Sequence, residues 1–171
     1  LLPFYDKPMI YYPLSTLICK LAPALAVGCT VVAKPDEHTP LGAIRLARLA
    51  VEAGMPTGVF NVVTGTGPET GQVLVTHPLP RLVAFTGSTV VGREIMRMAS
   101  DTVKKVTLEL GGKSANIILD DADMDLAVEG ATYGTFSHQG QICESGTRVL
   151  VSSKIYDQFI DMFKKRAETL R

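Results

Sequence analysis

The chain has 171 residues, 17 basic and 17 acidic side chains, no formal net charge, and 46% hydrophobic against 20% charged residues. That composition supports a sizeable apolar core and excludes a charge-rich disordered chain, and the balanced charge leads us to expect no nucleic-acid partner. The longest apolar stretch, Leu21–Ala33, is broken by Pro23 and Gly28 and falls short of the ~20 apolar residues a spanning helix needs, so no membrane partner is expected.

Cys29–Ala33 is apolar and β-branched, as a strand buried on both faces is. Leu41–Glu52 sets Ile44, Leu46, Leu49 and Ala50 at helical spacing, with Gly54 placed to end the helix. Val59–Val63 predicts a second strand and Pro68–Thr76 a second helix. Arg81–Phe85 predicts a third strand, followed after Gly87 by a helix through Met98. Val106–Leu110 and Asn116–Leu119 are further strand candidates. Met124–Phe136 predicts a helix, Arg148–Val151 a strand, and Ile155–Leu170 a helix with Ile155, Phe159, Met162 and Phe163 as its apolar stripe. Repeated β-α-β order predicts the α/β class: a mostly parallel sheet with helices on both faces.

Such sheets bind ligands beyond the carboxyl ends of their strands, which directs attention to three loops. Lys34-Pro35-Asp36-Glu37 offers a carboxylate to accept from ribose hydroxyls and an ammonium to donate, although charges after a strand are commonly just solvated. Gly65-Thr66-Gly67-Pro68-Glu69-Thr70-Gly71 has one residue too many for the dinucleotide fingerprint, and a plain strand-to-helix turn explains it as well. In Phe85-Thr86-Gly87-Ser88-Thr89-Val90-Val91-Gly92, a strand runs into a helix start whose N–H groups and hydroxyls suit a pyrophosphate; an N-cap without ligand is the competing reading.

The sequence has three cysteines. An odd count in a chain this long suggests no disulfide framework and fits the cytoplasm or another reducing compartment. The chain begins at Leu1 rather than Met, so a targeting segment cannot be judged from this start. Cys19 and Cys29 lie among apolar residues, where cysteine is usually a core filler. Cys143 differs, because it lies in the polar, glycine-flanked run His138-Gln139-Gly140-Gln141-Ile142-Cys143-Glu144-Ser145-Gly146. Glu109 stands at the end of a predicted strand, just before Gly111-Gly112, which permit a sharp turn or a close ligand. The cysteines lack paired spacing and the histidines are scattered, so no metal is expected.

Glu109-Leu110-Gly111-Gly112-Lys113-Ser114 followed by Gly140-Gln141-Ile142-Cys143 resembles the active-site pair of the NAD(P)-dependent aldehyde dehydrogenase superfamily. Lys34-Pro35-Asp36-Glu37-His38-Thr39-Pro40, Gly65-Thr66-Gly67-Pro68 and Phe85-Thr86-Gly87-Ser88-Thr89 agree in order and spacing, from about Tyr12 to the end of the chain. The resemblance implies a Rossmann-like cofactor domain over 1–110 and the first part of a second α/β, catalytic domain over 111–171. By similarity, the Cys143 thiolate attacks an aldehyde to give a thiohemiacetal, and hydride transfer leaves a thioester. Glu109 is the implied base for Cys143 or for the hydrolytic water, and the Cys143 N–H an implied oxyanion donor.

For the cofactor, the resemblance implies ribose contacts from Lys34 and Glu37, close backbone approach at Gly67, a pyrophosphate contact at Gly87 and Ser88, and Leu110 in the same set. Glu37 favours NAD over NADP by repelling a 2′-phosphate, while NADP stays possible. Tyr11 occupies the position where the family carries its second oxyanion donor, an asparagine, and Leu1–Ile10 departs from the family pattern. The family's longer members are oligomers, and for this chain the oligomeric state is open. Two alternatives stand beside aldehyde oxidation: a CoA-acylating relative, against which Glu109 argues, and a catalytically incomplete nucleotide-binding or structural relative.

Overall fold

The computed structural model describes residues 21–170; Tyr11, Cys19 and the segment Leu1–Ile10 lie outside the described residues. After helical residues 21–26 come β1 (Val31–Ala33), α1 (Leu41–Glu52) and β2 (Phe60–Val62), then a wide turn at Gly67–Gly71 and α2 (Gln72–Thr76). They are followed by β3 (Leu82–Gly87), α3 (Thr89–Ser100), β4 (Lys105–Leu110), β5 (Ala115–Ile118), α4 (Met124–Phe136), a tight turn at Ser137–Gly140, β6 (Arg148–Val151) and α5 (Tyr156–Ala167). The α/β class stands. Among the described residues the strands form three ladders of two, β1–β2, β3–β4 and β5–β6. β1 runs parallel to β2 with Val31 opposite Phe60, and β5 parallel to β6 with Ala115 opposite Arg148. Each of these parallel pairs is joined through a helix, as two parallel strands require.

Local chemistry explains where the elements differ from expectation. Pro68–Thr76 is helical as expected, but its first part is wound more widely than an α-helix. Pro68 brings no N–H, Thr66 Oγ1 accepts the Glu69 N–H at 3.2 Å, and the Gly71 N–H reaches back to the Thr66 carbonyl at 3.2 Å. The resulting π-helical start, Gly67–Gly71, runs directly into the α-helical Gln72–Thr76. β1 is not buried on both faces either: Val32 is 48% exposed, because the described ladder gives its outer face nothing to pack on. Cys29 likewise is an exposed free thiol rather than core, since it precedes the strand in a turn closed by its N–H onto the Ala24 carbonyl. Leu49 falls off the buried stripe of α1, which centres on Ala43.

Two compact units emerge: the chain up to Phe85 with Arg93–Thr107, and Thr86–Gly92 with Leu108 onward. The second contains a β5–α4–β6 crossover backed by α5. Ile118, Val128, Ala131 and Phe159 form its core, and Ile155, Met162 and Phe163 of the expected stripe pack against them. Phe163 stacks on both Phe159 (ring centroids 5.6 Å apart) and Phe136 (6.0 Å), which fixes the end of α4. Arg166 of α5 grips Glu129 of α4 through Nε at 2.6 Å and Nη2 at 3.2 Å, and its hydrogen bond holds the Glu129 carboxyl below the usual range. Among the described residues no helix is long and apolar enough to cross a membrane.

Candidate active site

Cys143 owes its position to a turn anchored on both sides. α4 begins on the Asp123 cap, whose Oδ1 accepts the Leu126 N–H at 3.0 Å, and stops at Phe136. His138, Gln139 and Gly140 then take positive φ (49°, 60° and 73°), with the Gln141 N–H closing onto the His138 carbonyl at 3.1 Å. Left-handed backbone costs a non-glycine residue about 1–2 kcal/mol, so this reversal stores strain just upstream of the thiol. The next turn runs from Ile142 to Ser145, closed by the Ser145 N–H onto the Ile142 carbonyl at 3.1 Å. Cys143 and Glu144 are its two central residues, both exposed. Beyond it Ser145 is buried, the Gly146 N–H bonds the Gly134 carbonyl at 2.9 Å, and the Arg148 N–H starts β6 on Ser114.

The strand-end carboxylate arrives from the other direction. Glu109 is the penultimate residue of β4 and is exposed; Gly111-Gly112 then carry the chain alongside the thiol's turn. A Cβ at Gly112 would lie 3.1 Å from the Cys143 carbonyl oxygen, so the diglycine runs close against the backbone of the Cys143 turn. Gly112→Ala is expected to cost about 1–2 kcal/mol by overpacking that contact, read as a lower urea midpoint with unchanged slope. An unchanged midpoint would show that the turn gives way freely. The N–H of Cys143 donates to no acceptor among the described residues, so it is available to an oxyanion. The Oγ atoms of buried Ser145 and Thr147 also have no partner there.

The same unit holds Gly87 and Ser88. Ser88 Oγ accepts the Val91 N–H at 3.3 Å and so caps α3, leaving its own O–H hydrogen to donate outward. Gly87, Ser88 and Thr89 are exposed. Gly92, one turn into the helix, is buried against Leu110: a Cβ there would stand 2.7 Å from Leu110 Cδ2. This close packing sets the Ser88-capped first turn, through Gly92, against Leu110 at the end of β4. The sequence contained the signal, a glycine one turn past the cap, but not its partner.

In the first unit the parallel pairing of β1 and β2 lays the loops after them side by side. Pro35, Asp36, Glu37 and Pro40 face Thr64, Gly65, Thr66 and Glu69 across an open pocket of about 200 Å³. Glu37 therefore lines the pocket, whereas Gly67 and Lys34 border it without forming its wall. Lys34 is largely buried, its ammonium donating to the Pro35 carbonyl at 2.8 Å and lying 3.8 Å from Glu37 Oε2. Its stem reaches the far loop, for a Cβ at Gly71 would sit 3.6 Å from Lys34 Cε. Asp36 accepts the His38 N–H at 2.9 Å, which with the ring nitrogen at 3.1 Å holds its carboxyl below the usual range. The sequence singled out the loops that contain Asp36 and Glu69, but only the strand pairing brings these two and Thr64 to one wall. Among the described residues no cluster of acidic, His and Cys side chains could hold a metal.

The sequence profile of the aldehyde dehydrogenase family matches residues 11–171. The chain belongs to the aldehyde dehydrogenase family. The match starts at Tyr11 and leaves Leu1–Ile10 outside it. A mitochondrial succinate-semialdehyde dehydrogenase of Arabidopsis thaliana is 50% identical over 93% of the chain, which covers 30% of that enzyme. The NADP-dependent succinate-semialdehyde dehydrogenase GabD of Escherichia coli is 45% identical over 93% of the chain and 33% of its own length. A solved betaine aldehyde dehydrogenase of Staphylococcus aureus, in complex with NAD+, superposes with a TM-score of 0.86 at 45% identity, over 89% of the chain and 30% of that structure. The chain thus spans about a third of the length of these family members.

Proposed function

We propose that this chain carries the cofactor-binding and nucleophile-bearing part of an enzyme that oxidises an aldehyde to a carboxylic acid with NAD, NADP being the weaker cofactor. The observation that carries the reading is the backbone contact between Gly112 and Cys143, which sets the Glu109 strand end beside the thiol turn. Residues 1–110 are assigned to the cofactor and 111–171 to the start of the catalytic part. Lys34 and Glu37 fit a ribose: one donor and one acceptor stand at the edge of a pocket wide enough for a sugar ring. Gly67 permits close backbone approach, Gly87 and Ser88 offer a capped helix start to a pyrophosphate, and Leu110 completes the set. The bound nicotinamide supplies a hydride acceptor.

In the protein's own steps, the Cys143 thiolate forms a C–S bond to the aldehyde carbon, and the carbonyl π electrons move to oxygen. The Cys143 N–H donates to that oxyanion; Tyr11 stands in the sequence where the family carries its second donor, an asparagine. Collapse of the thiohemiacetal expels hydride and leaves a thioester on Cys143. Water then adds to the acyl carbon and the thiolate leaves; Glu109 takes a proton either from the thiol beforehand or from this water.

Calorimetric titration with NAD tests the cofactor half of the reading. Saturable binding is expected, with Kd raised about tenfold in Lys34→Ala through loss of a charge-assisted contact. Addition of an aldehyde should then produce the absorbance of reduced nicotinamide. No saturable binding would overturn the assignment of Lys34 and Glu37, and binding without aldehyde-dependent reduction would overturn the oxidation.

A further inference from the structure

The acidic residue next to the nucleophile has no part in the steps above. Cys143 and Glu144 are the two central residues of one turn, so their side chains leave adjacent corners of its tip. Both are exposed, and Glu144 enters no ion pair or hydrogen bond among the described residues. The described salt bridges of this unit, Lys154–Asp120 and Arg166–Glu129, engage other carboxylates. The base of the turn is held by buried Ser145 and by Gly146, whose Cβ position lies 3.0 Å from Asn116 Cβ. The Glu144 carboxylate, outside every described ion pair, therefore stands next to the thiol-bearing residue on a fixed platform.

We propose that Glu144 acts as a charge filter at the thiol, disfavouring aldehydes that carry a carboxylate or sulfonate and favouring neutral or cationic ones. The inference deepens the aldehyde-oxidising reading and rests on it for the word substrate. Its physics concerns any electrophile that approaches Cys143. Two unit charges about 6 Å apart in water interact strongly enough to change a rate about threefold, and the effect fades in high salt.

The test separates the two claims by using electrophiles that need neither aldehyde nor cofactor. In the full chain with Cys19→Ala and Cys29→Ala, Cys143 is alkylated by iodoacetamide or by iodoacetate, the S–C bond forming as iodide leaves. Glu144→Gln also changes the thiolate fraction, but that alters both rates equally and cancels in their ratio. The expected result is an iodoacetamide preference that drops about threefold in Glu144→Gln at low ionic strength, with the difference closing at 1 M salt. Because Glu144 is exposed, the urea midpoint of the variant should match the parent. A ratio unmoved by Glu144→Gln overturns the filter, whether or not nicotinamide is reduced. A ratio that moves while no aldehyde reduces NAD keeps the filter and removes the oxidation. With turnover present, kcat/KM for butanal relative to succinate semialdehyde should fall by a similar factor in Glu144→Gln, and a constant quotient would again overturn the proposal.

Discussion

Cys143→Ala is expected to abolish aldehyde-dependent formation of reduced nicotinamide, a loss of about 10⁴-fold or more, while NAD binding stays unchanged. The size follows from the role. Without sulfur there is no thiohemiacetal, and an unassisted aldehyde hydrate offers no comparable path for hydride to leave. The fold should tolerate the change: Cys143 is exposed at a turn tip, and neither its closing hydrogen bond, Ser145 N–H to the Ile142 carbonyl, nor the Gly112 contact uses the side chain. The NAD contacts assigned to Lys34 and Glu37 belong to the first unit and involve no sulfur. Cys29→Ala is the matched control, since it removes another exposed thiol and should leave turnover intact. Signal surviving in Cys143→Ala would remove the nucleophile assignment.

The parts of the fold that sequence alone revealed are those governed by local rules. Leu41–Glu52, Met124–Phe136 and Arg148–Val151 have the expected bounds, because their apolar spacing, and for Met124–Phe136 the Asp123 cap, act within a few residues. The α5 stripe of Ile155, Phe159, Met162 and Phe163 was legible for the same reason, and all four meet in the core. What escaped depended on partners distant in sequence. Leu49 and Val32 look like core residues until the ladder that would cover them is counted. The pocket wall of Asp36, Thr64 and Glu69 exists only because β1 and β2 pair in parallel register.

At the site, motif order pointed to Cys143 and Glu109 without any geometry. The positive φ angles at His138 and Gln139 left no trace in composition, since neither residue type requires them. The same holds for the contacts of Gly92 with Leu110 and of Gly112 with the Cys143 carbonyl. Diglycine announced that something must come close, and only the folded chain showed that the close neighbour is the backbone of Cys143.

Glu109→Gln is expected to lower steady-state turnover by about 10²–10⁴-fold, the range for losing a general base. The amide keeps the length and a hydrogen-bonding oxygen but takes up no proton at neutral pH. Because Glu109 is exposed and contributes no described ion pair, its removal should leave the urea midpoint in place, so lost turnover cannot be traced to unfolding. The burst of reduced nicotinamide in the first turnover distinguishes its two assigned duties. If Glu109 deprotonates the water, the acyl step survives: one equivalent of reduced nicotinamide appears, and mass spectrometry finds an acyl group on Cys143. If Glu109 deprotonates the thiol, the burst slows with the steady state and returns as pH rises toward the thiol's own titration. Full turnover with a normal burst would remove Glu109 from the chemistry. The Gly112 contact would then be a packing feature of the β4 end, and the role of base would pass to another residue.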